Sequence, residues 1–80
     1  MDSSVLTMEQ CRAARAMLGW SQTTLAEAAN VSRQTVADFE RGAHLPIANN
    51  LASITAVFQE AGITLIYAED GAVGVLFKKP

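Results

Sequence analysis

The sequence is poor in cysteine, in basic residues and in long apolar runs, and each shortage excludes a class of protein. Its 80 residues include one cysteine, Cys11, so no internal disulfide can form and no Cys/His set is present for zinc. No apolar run reaches the roughly 18 residues that a membrane-spanning helix needs. The first residues lack the basic flank and apolar stretch of a signal peptide. We therefore expect a cytoplasmic protein with no metal, no cofactor and no membrane association.

Positive charge is also scarce. Six basic residues against eight acidic ones give a net charge of −2, whereas DNA-binding domains are usually basic. Charged residues make up 18% of the chain and hydrophobic residues 50%, which is typical of a folded globule rather than a disordered tail. That hydrophobic share is high for one small domain and favours an oligomer. Any affinity for DNA must therefore come from a few well-placed groups.

Start and stop signals divide the first part of the chain into four helices. Thr7 and Gln10 have the spacing of a capping box at the start of the first helix, which Gly19 ends. Serines cap the next two helices, and Gly62 stops the fourth. The predicted ranges of these three helices are 22–29, 33–41 and roughly 47–61. Apolar side chains at helical spacing are expected to face inwards: Cys11, Ala14, Leu18, Leu25, Ala26, Ala29, Val36, Phe39, Leu51, Ile54 and Phe58.

After Gly62 the apolar period changes from about 3.6 to 2. Two alternating runs, 63–68 and 73–78, are separated by a segment that contains Asp70-Gly71, a strong hairpin signal. We expect a mainly α fold in which residues 1–62 form a helical domain. Residues 63–80 are expected to form a C-terminal β-hairpin of the same domain.

The second and third predicted helices are joined by only three residues, Asn30-Val31-Ser32. Asn30 tolerates the left-handed conformation that ends a helix, and Val31 can plug the turn. The small residues Ala26 and Ala29 lie where the two helices must approach steeply. This pattern is typical of a helix-turn-helix, whose second helix inserts its N-terminal residues into the major groove of DNA.

Many positions agree with a known pattern at fixed spacing: Leu18-Gly19-Trp20-Ser21-Gln22, Leu25-Ala26, Val31-Ser32, Val36 and Phe39-Glu40-Arg41-Gly42. Through them the chain resembles the Cro/C1-type (XRE) helix-turn-helix family of phage repressors and bacterial transcriptional regulators, over about residues 8–60. The resemblance implies a lambda-repressor-like four-helix domain that binds double-stranded DNA as a homodimer, on an operator with two-fold-related half-sites. It also implies a structural ion pair between Arg15 and Glu40. The hairpin lies outside the family's common core.

The resemblance places the base contacts at the head of the recognition helix, on Arg33, Gln34 and Thr35. Arg pairs with guanine, Gln pairs with adenine, and the Thr methyl group can touch that of thymine. Asp38 is also a predicted base contact, although it could instead orient Arg33 or Gln34. The predicted phosphate contacts are Gln22, Ser32, Arg41, His44 and Arg12. Thr35, His44 and Arg12 can also be interpreted as solvated surface residues.

The predicted hairpin is apolar on both faces, and its free strand edge would be an aggregation hazard. We expect strands from two protomers to pair into a shared antiparallel sheet. The predicted dimer interface consists of Leu65, Tyr67, Val73, Val75 and Phe77, with Ile66 and Leu76 on the other face. The alternative is a hairpin that only caps its own monomer.

These features predict a small, non-enzymatic transcriptional regulator, for which family analogy suggests autorepression. No convergence of Ser, Asp and His suggests hydrolysis, no glycine-rich phosphate loop is present, and no small-molecule ligand is expected. The alternative is a protein-interaction module of antiactivator or antitoxin-like type. In it the helix-turn-helix would be a scaffold, and the apolar hairpin would engage another protein by strand addition.

Overall fold

The computed structural model describes residues 5–79, which form four α-helices followed by a two-stranded hairpin. The predicted number, type and order of the elements are confirmed. The ends of the last two helices differ from the predicted ones by a single residue. The elements are α1 (Met8–Leu18), α2 (Gln22–Ala29), α3 (Arg33–Glu40), α4 (Ala48–Glu60), β1 (Ile63–Tyr67) and β2 (Val73–Phe77).

Local hydrogen bonds fix the start of α1. The Thr7 hydroxyl accepts from the backbone N–H of Gln10 at 3.1 Å, and the Gln10 side-chain carbonyl accepts from the backbone N–H of Thr7 at 3.0 Å. This reciprocal pair is the predicted capping box. Helix α4 differs, since Ile47 at its N-cap has no side-chain acceptor to offer.

The core lies between the four helices and the inner face of the hairpin. Its largest fully buried side chains are those of Phe58, Leu25, Ile54, Gln10, Val36 and Cys11. The ring of Trp20 stacks on that of Phe58, with centroids 6.2 Å apart. Two predicted core residues, Leu18 and Leu51, are only partly buried and pack against the edge of this cluster.

The hairpin packs on its own helices, β1 against α4 and β2 against α1. The strands are antiparallel, with Ile63 opposite Phe77 and Leu65 opposite Val75. A buried polar contact ties the sheet to α1: the Gln10 amide donates to the carbonyl oxygens of Ile66 at 3.2 Å and Gly74 at 3.0 Å. The sheet is therefore joined to the helices by both apolar packing and hydrogen bonds.

This packing bears on the predicted dimer interface. Leu65, Val75 and Phe77 are partly buried against the chain's own core, because alternate residues of both strands face the helices. Val73 and Tyr67 lie on the same face near the turn, with Val73 39% exposed. The face turned away from the helices carries Ile66 and Leu76. The inner side chains are therefore engaged with the chain's own core, and the dimer interface stays a prediction.

Gly62 forms the corner between α4 and β1. Its φ of +104° lies in a region that L side chains rarely adopt, and an added Cβ would overlap the carbonyl oxygen of Lys78. Its own carbonyl accepts from the Lys78 N–H at 3.0 Å. The corner therefore requires glycine, and it fixes where the hairpin begins.

Candidate nucleic-acid interface

Backbone and capping hydrogen bonds hold the turn between α2 and α3, and Val31 in the turn packs against the core. Asn30 has a φ of 57°, in the left-handed region. The N–H of Val31 donates to the carbonyl of Ala26 at 3.0 Å, and that of Asn30 to the carbonyl of Glu27 at 3.3 Å, which is a Schellman motif. The Ser32 hydroxyl then accepts from the N–H of Thr35 and caps α3. These bonds set the angle at which α3 leaves α2.

Helix α3 is sharply two-sided. Val36, Phe39 and Glu40 are buried, whereas Arg33 and Gln34 at its start are exposed. The Arg33 guanidinium forms no hydrogen bond or ion pair within residues 5–79. The N-terminal end of the helix therefore presents the unpaired guanidinium of Arg33 and the side-chain amide of Gln34.

A buried ion pair fixes the inner side of α3 to α1. Glu40 is 3% exposed, and Arg15 meets it in a fork, with Nε 2.8 Å from Oε2 and Nη2 2.7 Å from Oε1. Arg15 also donates to the carbonyl of Trp20 at 2.9 Å. This is the arrangement that the family resemblance implied for these two residues.

Three further side chains surround this pair. The Gln22 amide donates to Glu40 Oε1 at 3.0 Å, the Cys11 thiol donates to Oε2 at 3.0 Å, and the Arg12 guanidinium donates to the Glu40 backbone carbonyl. Burial opposes ionisation of Glu40, but the bonds from Arg15, Gln22 and Cys11 outweigh it and lower the pKa of the carboxyl group. Burial, followed by the neighbouring Glu40 carboxylate, raises the pKa of the Cys11 thiol, which stays protonated.

A second network lies on the outer side of α3. Asp38 Oδ1 accepts from the Gln34 amide at 2.8 Å and from Arg41 at 3.2 Å (Nε) and 2.9 Å (Nη2). His44 Nδ1 lies 3.8 Å from Oδ2. The bonds from Gln34, then those from Arg41, lower the pKa of Asp38. The bond between Gln34 and Asp38 is the one that an orienting role for Asp38 would use, and both predicted roles of Asp38 toward DNA stay predictions.

The structure thus sorts the predicted site residues into two groups. The first forms one surface around the start and outer side of α3 and consists of Arg33, Gln34, Thr35, Asp38, Ser32, Arg41 and His44. The second is engaged elsewhere: the Gln22 and Arg12 side chains are bonded to Glu40. Each of these side chains has further N–H donors, and the backbone N–H of Gln22 lies at the start of α2, so their phosphate contacts stay predictions.

Two features of this region were absent from the sequence prediction. An open groove of about 360 Å³ adjoins the outer network and is lined by Thr35, Asp38, His44, Pro46 and Asn50, among others. Beside it, Leu45 and Ile47 are 72% and 69% exposed. Neither has a local sequence signal, because both depend on how the α3–α4 loop folds back.

Within residues 5–79 no group of three or more His, Cys, Asp or Glu side chains is placed to hold a metal ion. No helix in that range is both long and apolar enough to cross a membrane.

The comparison with protein families matches residues 12–62, more than half of the chain, to a helix-turn-helix family model. The match spans α2, the turn and α3, together with most of α1 and all of α4. None of the curated proteins compared with the chain matches it. The chain therefore belongs to the Cro/C1-type (XRE) helix-turn-helix family of DNA-binding transcription regulators.

Proposed function

We propose that this protein is a sequence-selective regulator that acts as a homodimer and reads DNA through Arg33, Gln34 and Thr35. The observation that carries the proposal is the start of α3, where an exposed, unpaired arginine stands next to an oriented glutamine. The buried Arg15–Glu40 pair holds the opposite side of the helix. A rigid helix with a polar, exposed head is what major-groove reading requires.

Gln34 is oriented in a way that suits adenine. Its amide nitrogen has two hydrogens, of which one is used by Asp38. The second hydrogen and the side-chain oxygen remain for the N7 and N6 positions of adenine, the bidentate pattern for this base. Asp38 thus supports base reading by fixing the amide rather than by touching a base itself.

Phosphate contacts must be few, because the net charge is −2. Arg41 and His44 are 66% and 79% exposed at the side chain and lie at and just beyond the C-terminal end of α3, while the first backbone N–H groups of α2 supply a further anchor. One copy with so few contacts binds weakly, whereas two coupled copies on adjacent half-sites gain from an effective concentration. The homodimer is therefore part of the proposal.

Selection of bound sites from random double-stranded DNA tests the proposed function. The expected product is a site with two related half-sites about one helical turn apart. Its retardation in a gel should survive an excess of nonspecific competitor. Recovery of no preferred sequence, or retardation that competitor abolishes, would contradict selective reading.

The second candidate function, a protein-interaction module, is favoured by the acidic balance and by the exposed apolar side chains of Leu45, Ile47 and Leu76. An absence of DNA retardation at micromolar protein and low salt would favour this alternative. Retardation that depends on Arg33 would exclude it as the main function.

A further inference from the structure

The outer edge of β2 is a row of unused backbone groups. The bonds Lys78 N–H to Gly62 and Ala68 N–H to Ala72 close the two ends of the β1–β2 ladder. Because hydrogen-bonded and non-hydrogen-bonded pairs alternate in an antiparallel ladder, the even-numbered residues of β2 bond to β1. The N–H and C=O groups of Val73, Val75 and Phe77 therefore point away from β1. Within residues 5–79 they have no partner.

This edge lacks the usual protection against pairing. Natural edge strands carry a charge, a proline or a bulge that blocks a further strand, whereas β2 reads Val-Gly-Val-Leu-Phe with none of these. Leu76 is 60% exposed on the face turned away from the helices, next to Gly74, which offers no side chain. The edge is therefore suited to a partner strand.

The charged residues at the two ends of β2 determine which strand can pair with its outer edge and in which orientation. Both lysines of the chain, Lys78 and Lys79, follow β2 directly, and the two acids Glu69 and Asp70 stand in the turn before it. None of the four takes part in an ion pair within residues 5–79. A strand with acids at one end and bases at the other is complementary to an antiparallel copy of itself.

The edge of β1 does not share this pattern. Glu60 precedes β1, and Glu69 and Asp70 follow it, so that both ends are acidic. Antiparallel pairing of two β1 edges would bring like charges together, which is unfavourable. The two edges of one hairpin thus differ in what they can bind.

We infer that two copies of this chain pair through β2 in an antiparallel register centred on Val75, which joins the two hairpins into one four-stranded sheet. In this register Val73 lies opposite Phe77 of the second copy, and every outward N–H of β2 meets an outward C=O. Leu76 lies over Gly74 of the second copy. Lys78 and Lys79 come diagonally beside the turn acids of the second copy, within reach of long side chains. The inner side chains of both hairpins stay on their own cores.

The inference rests on the proposed homodimeric function and specifies its interface. A charge-swap experiment by sedimentation equilibrium, without DNA and at low salt, tests it. One variant, Lys78→Glu/Lys79→Glu, has acids at both ends of the edge. The other, Glu69→Lys/Asp70→Asn, has bases at the lysine end and at the turn. The Asn keeps the acceptor for the Ala72 N–H, which lies 3.0 Å from Asp70 Oδ1.

Each variant alone should dissociate about tenfold more readily than the wild type, since several unlike contacts become like or neutral ones. An equimolar mixture should regain dimers, because the acidic strand end then meets the basic turn and the basic strand end meets the acidic turn. The differences should narrow at about 1 M salt, where screening acts within about 3 Å. A monomeric wild type, variants that dimerise like the wild type, or a mixture that stays monomeric would each overturn the inference.

A matched pair of proline variants separates the two edges. Val75→Pro and Leu65→Pro each remove one outward N–H and no bond of the chain's own ladder. Val75→Pro should be monomeric and Leu65→Pro dimeric, and the reverse result would place the contact on β1. Should either variant fail to fold by circular dichroism, the charge swap still decides. These assays contain no DNA. A result that overturns the β2 interface therefore does not bear on the proposed DNA binding, which the site selection tests separately.

Discussion

Asp38 and Glu40 are two carboxylates of the same helix, and α3 uses them in opposite ways. Two residues correspond to about 200° around a helix, so the two side chains point to opposite sides. Glu40 is buried, and its carboxylate accepts hydrogen bonds from Arg15, Gln22 and Cys11, which fixes the helix to the core. Asp38 lies near the surface, and its carboxylate accepts hydrogen bonds from Gln34 and Arg41, which belong to the candidate interface. One acid anchors the helix, and the other arranges what it presents.

The largest effect is expected from Glu40→Ala. The substitution leaves Arg15 without its counter-ion in a partly buried site and removes the acceptor of Gln22 and Cys11. We expect the free energy of unfolding to fall by about 3 kcal/mol, as for other broken buried pairs. Urea denaturation measures it. Asp38→Ala is the matched control and should leave the midpoint almost unchanged; equal losses in both variants would break the distinction between the two acids.

The dependence of the free energy of unfolding on acidic pH should also distinguish Glu40 from Asp38. Folding lowers the pKa of Glu40, so the stabilisation is present above its unfolded-state pKa of about 4.3 and is lost as pH falls through the lower folded-state value. The free energy of unfolding of the wild type should therefore decline from about pH 5 downwards. In Glu40→Gln this decline should be shallower. Folding also lowers the pKa of Asp38, but its near-surface contribution should largely vanish in high salt. If the free energy of unfolding of the wild type declined with falling pH as little as that of Glu40→Gln, the account would be contradicted.

Asp38→Ala should act on DNA binding rather than on folding. It frees the Gln34 amide and removes a negative charge beside the phosphates, so nonspecific affinity should rise while preference for the selected site falls. We expect about a fivefold lower ratio of specific to nonspecific affinity, the lower end of what a bidentate contact contributes. Fluorescence anisotropy on the selected site and on a scrambled one measures it. An unchanged ratio would mean that Asp38 has no part in orienting Gln34.

The sequence predicted those features that short-range bonds decide. Thr7, Ser21, Ser32 and Asn30 set helix ends within three or four residues of themselves, and all four do so in the structure. The double role of Gln10 could not be predicted in this way. Its side-chain oxygen completes the capping box, while its nitrogen reaches Ile66 and Gly74, more than fifty residues away.

The same limit applies to contacts between distant elements at the site. The position of Gln22 at a helix start predicts a phosphate contact, but it does not predict the bond to Glu40, which belongs to another helix. The Arg12 contact has no local signal either, since the carbonyl that accepts from it belongs to the last residue of α3. The inward face of the hairpin could be predicted as apolar, but whether it met a second copy or its own α1 and α4 depended on the tertiary packing.

The most direct test of selective reading compares Arg33→Ala with Arg41→Ala on the selected site and on every single-base variant of it. Both substitutions remove one exposed arginine, but only Arg41 is paired with Asp38. We expect Arg33→Ala to cost about 1–3 kcal/mol on the selected site and to relax base preference at one position. Arg41→Ala should weaken all sequences alike and reduce the salt slope by about one. If Arg33→Ala instead weakened binding to every sequence equally, Arg33 would be a phosphate contact, and the proposal that it contacts a base would be wrong.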